Sequence, residues 1–244
     1  MIPVAHRGTQ ALTDAPSGSC PCGTIGHRAS HGAARPTPLQ PRSSTMKQFS
    51  DLSPSAERIV DAGEGLIQTV GYNGFSFDHV AKIVGIRKPS VHHHFATKAE
   101  LGAVIVQRYT HRFKVALLGI EGQTSSSAQR LQAYAQLFEQ TYEQSRRLCL
   151  CGMLGAEADS LPEEVRVEVH QFFRVNIAWL TEVFQSGLTQ QELSAEAPAP
   201  ALAESYMSLL EGGMLVGRGL PSAQGPLHAA KVFMASLTRG AKGG

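Results

Sequence analysis

Cysteine is scarce in this sequence, which contains 4 cysteines among 244 residues. So few cysteines exclude a disulfide-stapled secreted scaffold, and a reducing cytoplasm is the expected compartment. Long apolar runs are also missing, because no stretch approaches the roughly 18 to 20 residues that a membrane span requires. Pro, Gly, Ser and Thr interrupt the N-terminal segment throughout, so it lacks the apolar core of a secretory signal. These absences predict a cytoplasmic protein without a membrane partner.

A strong charge of one sign is nearly absent as well, with 22 Lys and Arg against 20 Asp and Glu. Such a balance does not by itself indicate a nucleic-acid partner. The distribution is more informative, because the Lys, Arg, Asp and Glu positions between His79 and Ala99 are all basic. These residues are Lys82, Arg87, Lys88 and Lys98. A local group of cations is what contact with phosphate requires, although a solvated basic face would have the same composition.

The segment 75–100 has the pattern of two short helices joined by a tight turn. Phe77, Val80, Ala81 and Val84 fall at i, i+3, i+4 and i+7, which predicts a helix over residues 77–84. Gly85 supplies a residue free to take positive φ, and Pro89 suits the first turn of a second helix over residues 89–95. A helix, a short glycine turn and a second short helix form a helix-turn-helix, whose second helix enters the DNA major groove.

Helical periodicity extends through the rest of the chain, and no run alternates with a period of two. Ser53 and Pro54 have the residue types that begin a helix, here predicted to reach Val70. Thr97 and Glu100 form a capping box, in which each is expected to bond the backbone N–H of the other. The helix that it opens is expected to end near Leu118. Further helices are predicted over residues 127–145, 149–158, 160–187, 199–216 and 226–238, so the fold is predicted to be all-α.

Residues 1–50 are dominated by Pro, Gly, Ser, Thr and Ala, and they show little periodicity. Such a segment buries too little apolar surface to offset its ordering entropy, so we expect a disordered N-terminal extension. Cys20 and Cys22 would form only half of a metal site. Met46 begins a sequence of more usual composition, which suggests the hypothesis that the first 45 residues are an over-extended start assignment.

Residues 53–101 resemble the N-terminal domain of the tetracycline-repressor (TetR) family of one-component transcription regulators. The resemblance rests on a first helix, a Gly-x-x-Gly-Phe turn and the motif VAKIVGIRKPSV-x-x-HF-x-x-K-x-x-L. It implies a three-helix helix-turn-helix DNA-binding domain over residues 51–97. It also implies a helical effector-binding and dimerisation domain over residues 98–244. Members of this family are commonly repressors that a ligand releases from a double-stranded DNA operator.

The resemblance assigns DNA contacts to residues in and beside the second helix of this unit. They are Ser76, Arg87, Lys88, Pro89, Ser90, His92, His94 and Lys98. Arg87, Lys88 and Pro89 lie where base edges are read, whereas His94 and Lys98 lie where phosphate is bound. The family usually has Tyr at position 92, and His92 has less reach and stacking area. Three consecutive histidines on a helix diverge by about 100° each, so no metal site is predicted at 92–94.

The segment LCLCGMLGAE at residues 148–157 resembles a subgroup of TetR repressors that sense electrophiles and N-ethylmaleimide. Cys149 falls at the matching position, and Arg146 and Arg147 are expected to lower the pKa of a nearby thiol. The alternative is that Cys149 packs as a small apolar core residue. A small-molecule effector is otherwise expected among aromatic and apolar side chains. These candidates are Tyr134, Phe138, Cys149, Met153, His170, Phe173 and Trp179, and the alternative for each is a place in the hydrophobic core.

The resemblance also implies a homodimer formed by the helices near 199–216 and 226–238. The residues expected in or near its seam are Leu202, Leu209, Leu210, Leu227 and Phe233. Two other functions remain open, a helical interaction module without DNA binding and a thiol-dependent enzyme that uses Cys149 with His170. No nucleophile motif, phosphate loop or paired carboxylates favour the enzyme, so no catalytic residue, metal or cofactor is predicted.

Overall fold

The computed structural model describes residues 49–220 and 223–238, and these ranges contain nine α-helices and no β-strand. The helices are α1 (Pro54–Val70), α2 (Phe77–Val84), α3 (Lys88–His94), α4 (Lys98–Gln123), α5 (Ser127–Glu143), α6 (Leu150–Gly155), α7 (Glu163–Thr189), α8 (Ala199–Gly219) and α9 (Gly225–Thr238). The predicted all-α fold is confirmed. None of the helices in the described ranges combines the length and hydropathy needed to cross a membrane.

Most of the predicted N-terminal extension lies outside the described residues, including Cys20, Cys22 and Met46. Its last two residues, 49 and 50, belong to a 3₁₀ helix (Phe49–Asp51). The ring of Phe49 lies 4.8 Å from that of His111 on α4, centroid to centroid. Phe49 therefore packs against the folded part of the chain, although it falls within the predicted extension.

The first two helices begin at the residues that the sequence designates. The side-chain oxygen of Ser53 accepts a hydrogen bond from the N–H of Ala56 at 3.3 Å, and that of Ser76 accepts one from His79 at 3.4 Å. Gly85 then takes φ 75° and ψ 33°, a left-handed conformation that favours glycine. The chain therefore leaves α2 and enters α3 within a few residues, which makes the predicted helix-turn-helix.

These helices are held by a small hydrophobic core. Its fully buried side chains include Ile59, Val60, Val80, Val91, Phe95 and Leu101. Val91 and Phe95 hold α3 against this core, because they are buried while the intervening residues 92–94 are not. The opposite face of α3 is left to solvent.

The cap of α4 departs from the prediction in one detail. Thr97 Oγ1 accepts a hydrogen bond from the N–H of Glu100 at 3.0 Å, as predicted. The Glu100 carboxylate instead accepts from the N–H of Ala96 at 2.9 Å, one residue before the predicted partner. The box still satisfies two N–H groups at the start of the helix.

The helix α4 is longer than predicted, because it continues past Leu118 and through two glycines to Gln123. Leu117 and Ile120 are buried in the main core, and their burial offsets the cost of the glycines. Since α4 packs on both α1 and α7, it is shared by the helix-turn-helix and the helices that follow.

The later helices pack as neighbours, α7 against α8, α8 against α9 and α9 against α5. The predicted placement of Leu202 and Leu210 in the dimer seam is wrong, because both side chains are buried within the subunit, at 6% and 0% exposure. The other three predicted seam residues are half-buried. The apolar side chains that do reach solvent here include Leu215, Val216 and Val232, at 63%, 57% and 60% exposure.

Candidate nucleic-acid interface and effector domain

The residues predicted to read base edges lie together on the exposed start of α3. Arg87, Lys88, Pro89 and Ser90 are all exposed to solvent. Arg87 is the N-cap residue of α3, with extended backbone and no capping hydrogen bond from its side chain. A guanidinium in this position can make the bidentate bond to guanine O6 and N7 that distinguishes one base from another.

Lys88 is not a free cation, because its Nζ lies 2.7 Å from Asp78 Oδ2 on α2. The sequence analysis missed this ion pair, since Asp78 stands just before the acid-free segment and ten positions from its partner. Both side chains are largely exposed, and a pair of this kind contributes only about 0–1 kcal/mol. A phosphate can therefore compete for Lys88, but Asp78 reduces the positive charge of the surface.

The histidines of α3 differ in their surroundings. The exposed ring of His92 packs edge-on against Phe77, with 4.7 Å between the centroids. The rings of His93 and His94 lie 5.5 Å apart. In the part of the chain that the structure describes, no three metal-binding side chains converge. His92 thus occupies the place of the family's tyrosine as a ring supported by α2.

Ser76 and Lys98 both have structural partners within the protein. The side-chain oxygen of Ser76 accepts the capping hydrogen bond from the N–H of His79. Lys98 Nζ lies 4.5 Å from the ring centroids of both Tyr72 and Phe75, a cation–π arrangement. Partial burial lowers the pKa of Lys98, whereas the nearby Glu157 carboxylate acts in the opposite direction. Any phosphate contact by Lys98 must compete with these rings.

The sequence analysis missed the contacts that join α1 to the second domain. The carboxylate of Glu157, which follows α6, accepts hydrogen bonds from the N–H groups of Tyr72 at 2.6 Å and Asn73 at 3.3 Å. Arg218 of α8 donates to the carbonyl of Thr69 at 2.7 Å, across 149 positions of sequence. No local pattern could reveal pairs so far apart. They tie the end of α1 to the segment that follows α6 and to α8.

The predicted aromatic effector residues form a packed core. Tyr134 is 0% exposed, donates its hydroxyl to Asn176 Oδ1 at 2.9 Å and stacks on Trp179. The indole N–H of Trp179 donates to Glu121 at 2.8 Å, and Phe138 is 1% exposed. Buried Tyr and Trp with satisfied polar atoms are typical of a core.

His170 is wrongly placed in the predicted pocket, because it lies exposed on α7. Cys149 is 1% exposed, and its Sγ accepts a hydrogen bond from Tyr109 Oη at 3.6 Å. The Cys–His pair of the thiol-dependent enzyme is therefore not formed. Met153 and Phe173 are half-buried beside this core.

The predicted activation of Cys149 by arginine is also wrong. Burial raises the pKa of the Cys149 thiol well above its ordinary value, and the negative charge of Glu211 raises it further. Arg146 instead donates to the carbonyl of Gly217 at 3.0 Å. Since a protonated thiol is a poor nucleophile, Cys149 has the environment of a core residue.

Glu211 of α8 is an ionisable group in this interior that sequence reasoning missed. The residue is half-buried, but its Oε1 atom is enclosed without a hydrogen-bond partner within the described residues. Burial raises the pKa of Glu211 to about 7, and a hydrogen bond from the Cys149 thiol acts against this shift. A Cβ at position 152 would overlap this carboxylate, so any side chain there would have to displace it.

An exposed basic helix-turn-helix, joined by a shared helix to a second helical domain, defines a DNA-binding transcriptional regulator. The family model "Bacterial regulatory proteins, tetR family" matches residues 59–103. The model "Tetracyclin repressor-like, C-terminal domain" matches residues 127–233. The chain belongs to the TetR family, so the predicted family is confirmed in both domains.

Known relatives span nearly the whole described part of the chain. A TetR-family regulator from Agrobacterium tumefaciens is 31% identical, with a TM-score of 0.70, over 75% of this chain and 97% of that one. The transcriptional regulator AcuR of Cereibacter sphaeroides is 27% identical over 79% of this chain and 89% of that one. NemR of E. coli in its reduced form has a TM-score of 0.65 at 23% identity, over 75% of this chain and 96% of that one. The likeness to NemR concerns the fold alone.

Proposed function

We propose that this protein is a cytoplasmic, homodimeric repressor that binds double-stranded operator DNA through α3 and is released by a small-molecule effector. Residues 51–97 would form the DNA-binding domain and residues 98–244 the effector-binding and dimerisation domain. The observation that carries the proposal is the exposed Arg87 guanidinium at the start of α3, which has no ion pair within the described residues. Base reading requires such a donor, because phosphate contacts alone fix only the register.

The remaining DNA-contacting residues fall into two groups according to their surroundings in the structure. We assign base or backbone contacts to the exposed residues Lys88, Pro89, Ser90 and His92, and phosphate contacts to Ser76, His94 and Lys98. Ser76 supports a phosphate contact because it precedes the N–H groups at the start of α2. Lys98 makes the weaker contribution, since its ammonium already lies against two rings.

A homodimer is supported by the exposed apolar residues near the end of the chain. Leu215 and Val216 lie on α8, Leu220 follows it, and Val232 lies on α9; all four are more than half exposed. One short recognition helix buries little surface on DNA, whereas a two-fold dimer places two of them about one helical turn apart. These apolar residues are therefore assigned to the dimer interface in place of Leu202 and Leu210.

A non-covalent effector is favoured over an electrophile that reacts at Cys149. The thiol is buried, and both burial and the charge of Glu211 keep it protonated. The junction at Glu157 and Arg218 offers the route of response, since it couples the second domain to the end of α1. Effector binding would shift the population toward a dimer whose recognition helices no longer match the operator.

The test is the affinity for a labelled duplex from the region upstream of the protein's own gene, measured by fluorescence anisotropy. Arg87→Ala is expected to weaken specific binding about ten- to hundred-fold, because one bidentate base contact is lost. Arg174→Ala on α7 removes the same charge from an exposed site outside α1–α3 and should bind like the wild type. Equal affinity of the Arg87→Ala protein and the wild type would overturn the assignment of α3 as the recognition helix.

A further inference from the structure

A polar cavity of about 320 Å³ lies between α1, α4 and α5, outside the aromatic core where the sequence predicted the effector. Glu64 of α1 and Arg112 of α4 line it, and Gln140 and Thr141 of α5 form its far wall. Arg147, in the connection from α5 to α6, completes the lining. The cavity thus touches both the helix-turn-helix and the second domain.

The charges around this cavity do not cancel. Glu64 pairs with both Arg108 and Arg112, and Arg108 also lies 2.6 Å from Asp61. Arg147 has no ion pair or side-chain hydrogen bond within the described residues. Of the charged side chains that line the cavity, Arg112 and Arg147 are positive and Glu64 is negative, which leaves one positive charge to be neutralised.

Arg147 is directed toward α1 by an unusual connection. Ser145 and Arg146 both adopt positive φ, at 61° and 54°, although neither is glycine. The Arg147 side chain then reaches α1, where its guanidinium lies 3.9 Å from the position of a Cβ on Gly65. A half-buried guanidinium at the mouth of a cavity is suited to bidentate binding of a carboxylate.

The rest of the lining fits an organic anion better than an inorganic one. Phe113 and Leu137 provide apolar surface, and the amides of Gln68 and Gln140 provide hydrogen-bond donors. A single uncompensated charge matches a monoanion, whereas a phosphate would carry more charge than the cavity can neutralise.

We propose that this cavity binds a small organic monocarboxylate, with Arg147 as its principal partner and Arg112 as the second. This inference deepens the effector role proposed above and rests on it. Since α1 forms one wall, an occupant contacts the DNA-binding domain directly, and its binding is coupled to the position of α1.

The test uses benzoate, phenylacetate, butyrate and hexanoate, each compared with its neutral amide of the same shape. Isothermal titration calorimetry on the full chain should show binding of at least one carboxylate, and its amide should bind at least about ten-fold more weakly. Arg147→Gln should weaken the carboxylate at least about ten-fold, while Arg174→Gln leaves it unchanged. Failure of all four carboxylates to bind would overturn the proposal, and so would binding that Arg147→Gln does not weaken.

A second variant guards against misfolding of Arg147→Gln. Gln140 is exposed, so Gln140→Glu is expected to fold while adding a carboxylate to the lining, and it should abolish carboxylate binding. Anisotropy with operator DNA, without any carboxylate, separates the two proposals. DNA binding without carboxylate binding overturns this inference alone, whereas carboxylate binding without DNA binding overturns only the proposed function.

Discussion

The recognition surface and the interior of the second domain use side chains in opposite ways. The start of α3 presents exposed polar groups, and the buried residues Val91 and Phe95 hold the helix to its core. The interior joins Tyr134, Phe172 and their neighbours in a continuous aromatic cluster with almost no exposure. The first region is therefore expected to tolerate substitution without loss of stability, and the second to lose stability before it loses any specific contact.

The largest effect is expected at Phe172, the centre of the aromatic cluster. Its ring is 0% exposed and lies 5.5 Å from that of Tyr109 and 5.0 Å from that of Phe113. Phe172→Ala should lower the free energy of unfolding by about 3–5 kcal/mol, because it leaves a cavity in a packed core. Urea denaturation followed by circular dichroism measures this change. The folded fraction should bind operator DNA with unchanged affinity.

Phe172→Leu is the matched control, since it keeps most of the apolar volume. Its expected loss is about 1–1.5 kcal/mol. A loss below about 1 kcal/mol for Phe172→Ala would contradict the contrast between the two regions, because the interior would then relax as readily as the surface.

The helix-turn-helix could be predicted because its signals are local. Ser53, Ser76 and Thr97 cap their helices through residues three positions ahead, and Gly85 has a conformation that its type favours. The ion pair between Lys88 and Asp78 could not be predicted, since it depends on the packing angle of α2 against α3.

The second domain was predicted less well, because helical periodicity shows that a residue is buried but not what it faces. Tyr134 and Trp179 were correctly placed in the interior, yet they fill it instead of lining an open pocket. His170 lies on the outside of α7, Arg146 donates to the carbonyl of Gly217, and Arg147 lines the polar cavity. These outcomes follow from the rotation of α7 and from the path of the α5–α6 connection, which no short spacing encodes.

The ionisable group of the interior gives the stability of the protein a dependence on pH. Burial raises the pKa of Glu211 to about 7 from an ordinary value near 4.5. Between these values the native state keeps a proton that the unfolded state has lost. The contribution of Glu211 to stability therefore falls as the pH rises from about 4.5 to about 7, by roughly 3 kcal/mol, and is constant above that.

Glu211→Gln removes this dependence while keeping the shape of the side chain. Thermal and urea unfolding at about pH 5 and about pH 8 should show the variant gaining stability over the wild type as the pH rises. Glu182→Gln on the exposed face of α7 should show no such gain. The prediction fails if the free energies of unfolding of the variant and the wild type differ by the same amount at both pH values. The Glu211 carboxylate would then be kept solvated by water or by movement of its helix.

The smallest effect is expected at Asp78, whose carboxylate pairs with Lys88 and lowers the positive charge of the recognition surface. Its carboxylate holds Lys88 at 2.7 Å although both groups are mostly exposed, so the pair adds little to stability. Asp78→Asn should leave the free energy of unfolding within about 0.5 kcal/mol of the wild type. It should tighten operator binding about two- to five-fold, because Lys88 becomes available and a negative charge near phosphate is removed. The dependence of affinity on salt should also steepen by up to about one released counterion.

Glu182→Gln makes the same charge change on α7 and should leave both quantities unchanged. Weaker binding by Asp78→Asn would instead mean that the carboxylate positions Lys88 for its contact, and the recognition surface would then depend on internal packing as the aromatic interior does.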